Sequence, residues 1–391
     1  MTPDRTRLDS FLEETGVDGY LIDADSTDAD QYYLSGFDAP DPFVTLYDGS
    51  THLLFARSLE YGRAKKEASA DSVERDVDYD YGALAEAHGP QEARDRVLAA
   101  FLDSHDVRSV ATPPRFPLRT ADGLRDQGID VTAENSGIVT EIRAIKTDDE
   151  VAHVREAQRA NEAAMRRAED LIADAGIGDD GRLLRDGEAL TSERVKEAIE
   201  VELLRHGCAL DETIVACGAD AADPHDRGSG PLEADEPIIV DIFPQSKATK
   251  YHADMTRTFC AGTPDETVRE WYELTAEAKQ AALDAVEPGV TGATVHDAVC
   301  DVYEAAGLPT LRSDEAAETG FIHSTGHGVG LAVHELPRLA PDGGELRLGQ
   351  VVTVEPGLYD PAVGGVRIED IIVVTEDGYE NLTNYEETLV V

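Results

Sequence analysis

Four acidic residues in the second half of the chain constrain its fold, because each stands in or beside an apolar, strand-like segment. Asp241 directly follows the apolar residues 238–240, and Asp254, Glu355 and Glu369 lie in three further stretches of this kind. A buried carboxylate is unfavourable by several kcal/mol unless a cation or fixed hydrogen bonds compensate for the lost hydration. A fold that buries these segments must therefore also provide partners for the carboxylates.

Histidines in the same half supply a second type of metal ligand. His323, His327 and His334 fall within residues 321–338, where glycines around His327 allow the backbone to approach an ion or substrate closely. Carboxylate oxygens with an imidazole nitrogen and no thiolate suit hard or borderline divalent ions. Two carboxylates are able to bridge a pair of such ions about 3.5–4 Å apart, as in hydrolytic centres. We therefore predict a hydrolytic site with two divalent metal ions.

The order of the candidate ligands resembles that of the pita-bread metallopeptidases, the family that contains methionine aminopeptidase, aminopeptidase P, prolidase and creatinase. The motifs that carry the resemblance are VDIFP around Asp241, HADMTRTF around Asp254, HSTGHGVGLAVHE around His327, VEPGLY around Glu355 and GVRIED around Glu369. The first 142 residues are similar to the N-terminal domain of the creatinase, prolidase and aminopeptidase P branch, which methionine aminopeptidases lack. The resemblance therefore extends over the whole chain.

The apolar pattern predicts an α+β fold, and the resemblance implies two domains. The pattern predicts strands at 19–22, 43–47, 52–56, 238–240, 255–259, 351–354 and 365–374, and helices at 59–68, 91–103, 147–174, 265–286 and 293–306. We expect a small α/β N-terminal domain over residues 1–142, in which no metal ligands or nucleophiles cluster. Residues 143–391 are expected to form a pita-bread catalytic domain with a largely antiparallel sheet.

The resemblance implies a role for each matching ligand. Asp241 would bind one metal ion, and His327 and Glu355 would belong mainly to the other. Asp254 and Glu369 would bridge the two ions. Glu355 would also relay a proton towards the leaving proline nitrogen. The implied cofactors are two divalent metal ions, Mn or Co first and then Zn or Fe.

Further residues match family positions around the metal ligands. His225 matches the outer active-site histidine, and His334 matches the histidine that stabilises the tetrahedral intermediate and its oxyanion. His323 and Arg367 are assigned to the substrate side of the site, where they would orient ligands or carry protons. A structural ion pair with an acid such as Asp370 is the alternative for Arg367.

Arg338 is the residue that distinguishes between two candidate activities. In the microbial prolidases that this segment resembles, an arginine here faces the free C-terminal carboxylate of the substrate, which a guanidinium binds through two parallel hydrogen bonds. A surface position at the rim of a loop is the alternative. We therefore expect a dinuclear metal-dependent exopeptidase that cleaves Xaa-Pro bonds, a prolidase rather than an aminopeptidase P acting on longer peptides.

Three other functions are compatible with parts of the pattern. A pita-bread domain without catalysis would be a binding protein, but such proteins tend to lose metal ligands, and all of the matching ligands are present here. A creatinase-like amidinohydrolase would have non-ligand residues at these positions, and a methionine aminopeptidase would lack the N-terminal domain. The expected partner is a small peptide with proline at its second position, and a homodimer is left open.

Two features depart from the family pattern. Phe243 stands where the family usually has glycine, and the segment from Asp241 to Asp254 is two residues longer than the pattern. Because strand side chains alternate between faces, an insertion of two residues keeps both carboxylates on the same side. We expect metal binding to survive and the turn around residues 245–247 to differ from the pattern.

The net charge argues against two classes of partner. The chain has 34 Lys and Arg against 80 Asp and Glu, a formal net charge of −46. So acidic a surface repels nucleic-acid phosphates and anionic lipids, whose binding depends on Lys and Arg. No run approaches the roughly 18 apolar residues of a membrane span, and residues 1–5 lack a secretory signal pattern. We expect a cytoplasmic protein without nucleic-acid or membrane partners.

Acidic residues dispersed over the whole chain also predict a halophilic protein, because molar salt shortens the Debye length to about 3 Å and screens repulsion between carboxylates. We expect the melting temperature to fall when salt is lowered from about 1 M to about 0.01 M, since the Debye length then reaches roughly 30 Å. Scanning calorimetry at the two concentrations measures the effect. An unchanged melting temperature would contradict the halophilic interpretation.

Overall fold

The computed structural model describes residues 5–56 and 58–391 of the chain. The chain divides into two compact units, one that ends at Arg143 and one from Ala144 to Val391. Residues 1–4, part of the segment from which a cytoplasmic location is predicted, lie outside the described residues. Over the described ranges, no helix has both the length and the apolar character needed to cross a membrane.

The N-terminal unit contains a mixed sheet and the helices that cover it. Its strands are β1 (Gly19–Ala24), β2 (Phe43–Tyr47), β3 (Thr51–Phe55), β4 (Ser72–Arg75), β5 (Ser109–Thr112) and β6 (Asp130–Ala133). Its helices are α1 (Thr6–Thr15), α2 (Ala29–Ser35), α3 (Tyr61–Glu67), α4 (Tyr81–His88), α5 (Pro90–Ser104), α6 (Leu118–Asp126) and α7 (Ile138–Arg143), with a 3₁₀ turn at Asp76–Tyr79. The sheet order is β4-β3-β2-β1-β5-β6, antiparallel from β3 to β1 and parallel at the outer pairs. This arrangement confirms the predicted α/β fold of the first half.

Helix α5 packs on the central strands of this sheet. Leu21 and Leu46 on the sheet and Phe101 and Leu102 on α5 are fully buried in one apolar cluster. The tight turn between β2 and β3 contains Gly49 at a φ of 104°, a left-handed conformation that favours glycine. The packing brings the end of α5 close to this hairpin.

The C-terminal unit contains the longer helices. They are α8 (Asp148–Ala173), α9 (Ser192–Arg205), α10 (Glu266–Asp284) and α11 (Gly292–Ala305), with a 3₁₀ turn at Gly218–Ala222. Its strands are β7 (Gly176–Ile177), β8 (Leu183–Arg185), β9 (Glu188–Ala189), β10 (Cys208–Ala209), β11 (Thr213–Cys217), β12 (Ile238–Ile242), β13 (Gln245–Ser246), β14 (Met255–Phe259), β15 (Gly326–Gly328), β16 (Glu335–Leu339), β17 (Val351–Val354), β18 (Gly357–Asp360), β19 (Gly364–Arg367), β20 (Asp370–Thr375) and β21 (Gly378–Asn381). Helix α8 begins at the predicted capping box, in which the Thr147 hydroxyl accepts a hydrogen bond from the backbone N–H of Glu150.

Two antiparallel sheets form the body of this unit, each covered by a pair of helices. The order of the first is β11-β12-β14, and the order of the second is β16-β15-β17-β20-β21. Apolar residues of α8 and α9 share a core with the first sheet, and those of α10 and α11 share a core with the second. This architecture confirms the predicted pita-bread domain.

Strand alternation turns the candidate ligands away from the helices. Val240 and Ile242 of β12 belong to the core beneath α8 and α9, so Asp241 between them faces the opposite side of the sheet. Val352 and Val354 of β17 belong to the core beneath α10 and α11, and Glu355 continues the opposite face. The site therefore forms on the faces that carry no helix.

The prediction of a single strand over residues 365–374 is wrong. The chain forms β19, which pairs with β18, and then β20, which pairs with β17. In the break, the backbone N–H of Glu369 donates to the carbonyl of Thr256 at 3.1 Å. Apolar residues flank the break on both sides, at Val366, Ile368 and Ile371, so the strand-like pattern extends across the change of sheet. Asp254 and Glu355 lie just outside β14 and β17, which leaves Asp241 as the one member of the four inside a strand.

Candidate metal centre

The β12-β14 hairpin positions the first two candidate ligands. Asp241 is paired with Thr256, and Asp254 lies two residues before Thr256, so both carboxylates leave the hairpin on the same face. Asp241 is 9% exposed and Asp254 is 4% exposed. Gln245 and Ser246 of the longer connection form β13, which pairs with β10. The extra length therefore forms its own short strand and leaves the shared orientation intact.

His327 and Glu355 come from neighbouring strands of the other sheet. The backbone N–H of Glu355 donates to the carbonyl of Thr325 at 2.8 Å. Nε2 of His327 lies 3.4 Å from Oε1 of Glu355 and 3.7 Å from Oδ2 of Asp254. Nδ1 of His327 lies 3.1 Å from the carbonyl oxygen of Gly328. That contact makes Nδ1 the donor, so the Nε2 lone pair faces the carboxylates.

Glu369 belongs to a group of three residues, with Asp254 and His327, whose ligand atoms lie within 4.8 Å of one another. Glu369 is 2% exposed, and its Oε2 accepts a hydrogen bond from the hydroxyl of Thr256 at 2.7 Å. Sequence analysis did not identify Thr256 as part of the site. Its spacing of two residues from Asp254, which gives it the same strand face, is the signal that would have found it.

Burial and mutual repulsion raise the pKa values of three of these carboxyl groups. Burial raises the pKa values of Asp254 and Glu369 well above their usual ranges, and the charges of neighbouring carboxylates add to both shifts. Burial also raises the pKa of Glu355 to about 7, against the opposing effect of Arg367. These groups therefore need a cation if they are to remain ionised at neutral pH.

The donor set fits divalent cations. Oδ1 of Asp241 is buried and has no hydrogen-bond partner within the described part of the chain. The Nε2 lone pair of His327 points at two carboxylates, and acceptors that face one another without a proton between them need a positive charge. Carboxylate oxygens with one imidazole nitrogen are the donors expected for Mn, Co, Zn or Fe(II).

A chain of hydrogen bonds joins Asp241 to His323 through Arg367. Nη2 of Arg367 donates to Oδ2 of Asp241 at 2.8 Å, and Nη1 donates to the hydroxyl oxygen of Tyr359 at 2.8 Å. The Tyr359 hydroxyl lies 2.9 Å from Nε2 of His323, whose Nδ1 faces the carbonyl oxygen of Ser324 at 2.7 Å. Burial lowers the pKa of His323 to about 3, so its neutral Nε2 accepts a hydrogen bond from the Tyr359 hydroxyl. Tyr359 was not identified from the sequence, although it closes the quoted motif VEPGLY.

Asp370, the alternative partner for Arg367, pairs with other cations. Its carboxylate accepts hydrogen bonds from Arg257 at 2.8 Å and from Lys279 at 2.6 Å. Arg257 also donates to the backbone carbonyl of Glu369 at 2.6 Å. This ion-pair cluster fixes the backbone at Glu369, whereas Arg367 contacts Asp241 directly.

The remaining candidate residues lie around the rim of the centre. The His334 ring is exposed and meets the His327 ring edge-on, with centroids 4.3 Å apart. His225 is exposed and lies close enough to His323 and His334 for their charges to interact. Arg338 is the register partner of His327, and its side chain is 55% exposed, with a 3.4 Å contact to Asp342.

A buried ion pair supports the loop that carries His334, and sequence analysis did not identify it. The Glu335 carboxylate binds Nζ of Lys146 at 3.0 Å and accepts the backbone N–H of Ala332 at 2.9 Å. Both charged side chains are almost fully buried, so they compensate each other's lost hydration. Glu335 directly follows His334 in the quoted motif, and this adjacency is the signal that would have pointed to it.

The expectation that no metal ligands cluster in the first half is wrong. Asp48, His52 and His105 offer ligand atoms that lie within 4.8 Å of one another. His105 is remote in sequence from the other two and reaches them only because α5 packs beside the β2-β3 hairpin. No pattern of neighbouring residues in the sequence predicts the contact of His105 with Asp48 and His52.

The fold and the site together define a metal-dependent peptidase of the pita-bread class. Residues 152–376 match the metallopeptidase family M24, and residues 5–145 match the creatinase/prolidase N-terminal domain. The chain belongs to metallopeptidase family M24.

Several peptidases are similar to this chain over nearly its whole length. The chain is 28% identical over 394 residues to the Xaa-Pro dipeptidase of Pyrococcus horikoshii, which covers 98% of this chain and 97% of the relative. The crystal structure of the prolidase from Pyrococcus horikoshii OT3 matches with a TM-score of 0.78 and 26% identity over 98% of each chain. The X-Pro aminopeptidase from Thermotoga maritima matches with a TM-score of 0.77 and 24% identity, covering 97% of this chain and 99% of that one. The last match supports the fold alone.

Proposed function

We propose that the protein is a prolidase, which hydrolyses the peptide bond of Xaa-Pro dipeptides. The observation that carries the proposal is the pairing of Arg338 with His327. Directly paired residues in an antiparallel ladder project their side chains to the same side, so a guanidinium stands on the side of the candidate metal ligands. Full-length similarity to an Xaa-Pro dipeptidase supports the same assignment.

Two divalent metal ions would be held by Asp241, Asp254, His327, Glu355 and Glu369. Asp254 and Glu369 would hold one ion together with His327, because the ligand atoms of these three residues lie within 4.8 Å of one another, and the family resemblance implies that both also contact the second ion. When bound, the ions would lower the pKa of water and polarise the scissile carbonyl. Mn or Co is the proposed metal, with Zn or Fe as the alternative.

The protein's own groups would bind the substrate and move the proton. Glu355 would accept a proton from the attacking water and pass it to the proline nitrogen, and its side chain is 17% exposed and so open to the substrate side. His334 would donate a hydrogen bond to the developing oxyanion, with His225 at the outer edge of the site. The chain from His323 through Tyr359 to Arg367 would hold Asp241 in place.

An aminopeptidase P acting on longer peptides remains the second candidate, because prolidases and aminopeptidases P share the fold and the ligand set. Its substrates carry no carboxylate where Arg338 would bind one.

A cytoplasmic location, a halophilic origin and a homodimer stay predictions from the sequence. The domain boundaries predicted at 1–142 and 143–391 also stay a proposal.

Replacing Arg338 with alanine should weaken cleavage of Xaa-Pro dipeptides and leave Xaa-Pro-Xaa tripeptides nearly unaffected. A charge-assisted hydrogen bond contributes about 1.5–3 kcal/mol, which corresponds to roughly 10- to 150-fold in kcat/KM. Assays of both substrates with Mn, Co and Zn measure the effect. Arg205→Ala is the matched control, because Arg205 is an exposed arginine in a local ion pair with Glu202.

Equal losses on the two substrates, or no loss on either, would remove the reason for preferring a prolidase. Wild-type protein that cleaves tripeptides much faster than dipeptides would support the aminopeptidase. Protein that binds metal but cleaves neither would support the non-catalytic alternative.

A further inference from the structure

A second cluster of metal-ligating side chains lies in the N-terminal unit. Asp48 stands in the turn after β2, His52 lies on β3, and His105 directly follows α5. Their ligand atoms lie within 4.8 Å of one another. The His52 and His105 rings lie against each other, with centroids 3.8 Å apart and ring planes inclined by 30°. The three side chains are 11–19% exposed, so they are largely fixed but still open to solvent.

The hydrogen-bonding groups around His52 leave one pair of acceptors facing each other with no positive charge between them. Nε2 of His52 lies 3.2 Å from Oδ1 of Asp48, and its Nδ1 lies 2.9 Å from the hydroxyl of Ser72. Ser72 lies 2.9 Å from Oε1 of Glu74 and donates its proton there. Ser72 must then accept from Nδ1–H, which leaves the Nε2 lone pair facing a carboxylate. Either an added proton or a metal ion must lie between His52 and Asp48.

The position of the second histidine, His105, favours a metal ion over an added proton. Nε2 of His105 lies 2.9 Å from Oε1 of Glu74 and donates to it, so its other nitrogen carries a lone pair. Metal-binding histidines almost always donate their other N–H to a carboxylate, a carbonyl or a similar acceptor. His105 donates to a carboxylate in this way, and His52 donates to the hydroxyl of Ser72.

The donor types suit a borderline ion such as zinc, and one of the distances between the ligand atoms also fits. With metal–ligand bonds of about 2.0–2.2 Å, the ligand atoms of a tetrahedral zinc lie roughly 3.3 Å apart, close to the 3.2 Å between His52 and Asp48. Two imidazoles and one carboxylate leave one position for water. We propose that Asp48, His52 and His105 form a zinc site that joins the β2-β3 turn to the end of α5.

The test measures zinc bound per chain at a fixed, buffered free zinc concentration. Wild-type protein should bind one more zinc ion per chain than Asp48→Asn or His105→Gln. Glu74→Gln should weaken the same site on the order of 10- to 100-fold, the usual effect of removing an outer partner. His88→Gln is the matched control, because His88 faces the carboxylate of Glu92 at 3.6 Å without a second histidine, and it should retain the wild-type zinc content.

Unchanged zinc content in both Asp48→Asn and His105→Gln would overturn the proposal and assign the missing charge to a proton on His52. A measurement on the unaltered protein guards against a variant that does not fold. Crystals of the wild-type chain grown with zinc should give an anomalous peak at the zinc edge between His52 and Asp48. The absence of a peak there, with zinc bound elsewhere, would also overturn the proposal.

Discussion

Replacing Asp254 with asparagine is expected to remove metal from the site and to abolish peptidase activity. Asp254 faces the Nε2 lone pair of His327 and shares its group of ligands with Glu369, and because it is proposed to contact both ions, the lost charge should affect both. Metal ions contribute several kcal/mol to transition-state stabilisation, and each 1.36 kcal/mol is tenfold in rate. We therefore expect a loss of roughly 10³-fold or more, with less than two metal ions per chain.

Metal analysis and dipeptide hydrolysis on the same preparation measure both effects. Asp377→Asn is the matched control, because Asp377 is exposed in the turn before β21, and it should keep wild-type metal content and activity. An Asp254→Asn protein with two metal ions and normal turnover would show that the ligand assignment is wrong.

Glu355→Gln should retain the fold but lose turnover. Glutamine keeps a carbonyl oxygen beside His327, where Oε1 of Glu355 lies 3.4 Å from Nε2, but it is unable to accept and release the proton. General acid–base catalysis contributes roughly 10²–10⁴-fold, so kcat should fall by that factor while KM for the dipeptide changes little. The exposed Glu345 provides the control variant Glu345→Gln. Turnover above a tenth of wild type in a metal-containing Glu355→Gln enzyme would exclude Glu355 as the proton carrier.

Local patterns in the sequence were sufficient to identify the segments that meet at the centre. Asp241 and Asp254 share a face because Asp241 pairs with Thr256, and Asp254 lies two residues before Thr256 on the partner strand. The longer connection adds an even number of residues, so it preserves this alternation. The glycines around His327 were predicted to allow a close approach to an ion or substrate, whereas the structure requires Gly326 for strand packing, because a Cβ there would clash with the backbone carbonyl of Thr353. These constraints follow from strand alternation and residue type, so they can be inferred from a single sequence.

Contacts between remote segments were not predictable in the same way. The pairing of Arg367 with Asp241 rather than with Asp370, three residues further along the chain, depends on the change of sheet between β19 and β20, which the apolar residues on either side conceal. The approach of His105 to His52 depends on the packing of α5. Side-chain type and spacing do not determine such partners, because the partner is chosen by the tertiary fold.

The convergence of buried carboxylates also links the stability of the protein to protons and metal ions as competing ligands. Without metal, the folded state holds Asp254, Glu355 and Glu369 with raised pKa values, that of Glu355 at about 7. A group whose pKa is raised by folding stabilises the native state below its unfolded pKa, and this contribution disappears as pH rises through the folded value. The free energy of unfolding of the apoprotein should therefore decline as the pH rises above about 4.5 and through about 7, the folded pKa of Glu355. Metal binding replaces the protons and restores stability by about 2.7 kcal/mol at 100 times the dissociation constant. Near neutral pH, the supply of metal would then influence how much of the chain is folded as well as how much is active.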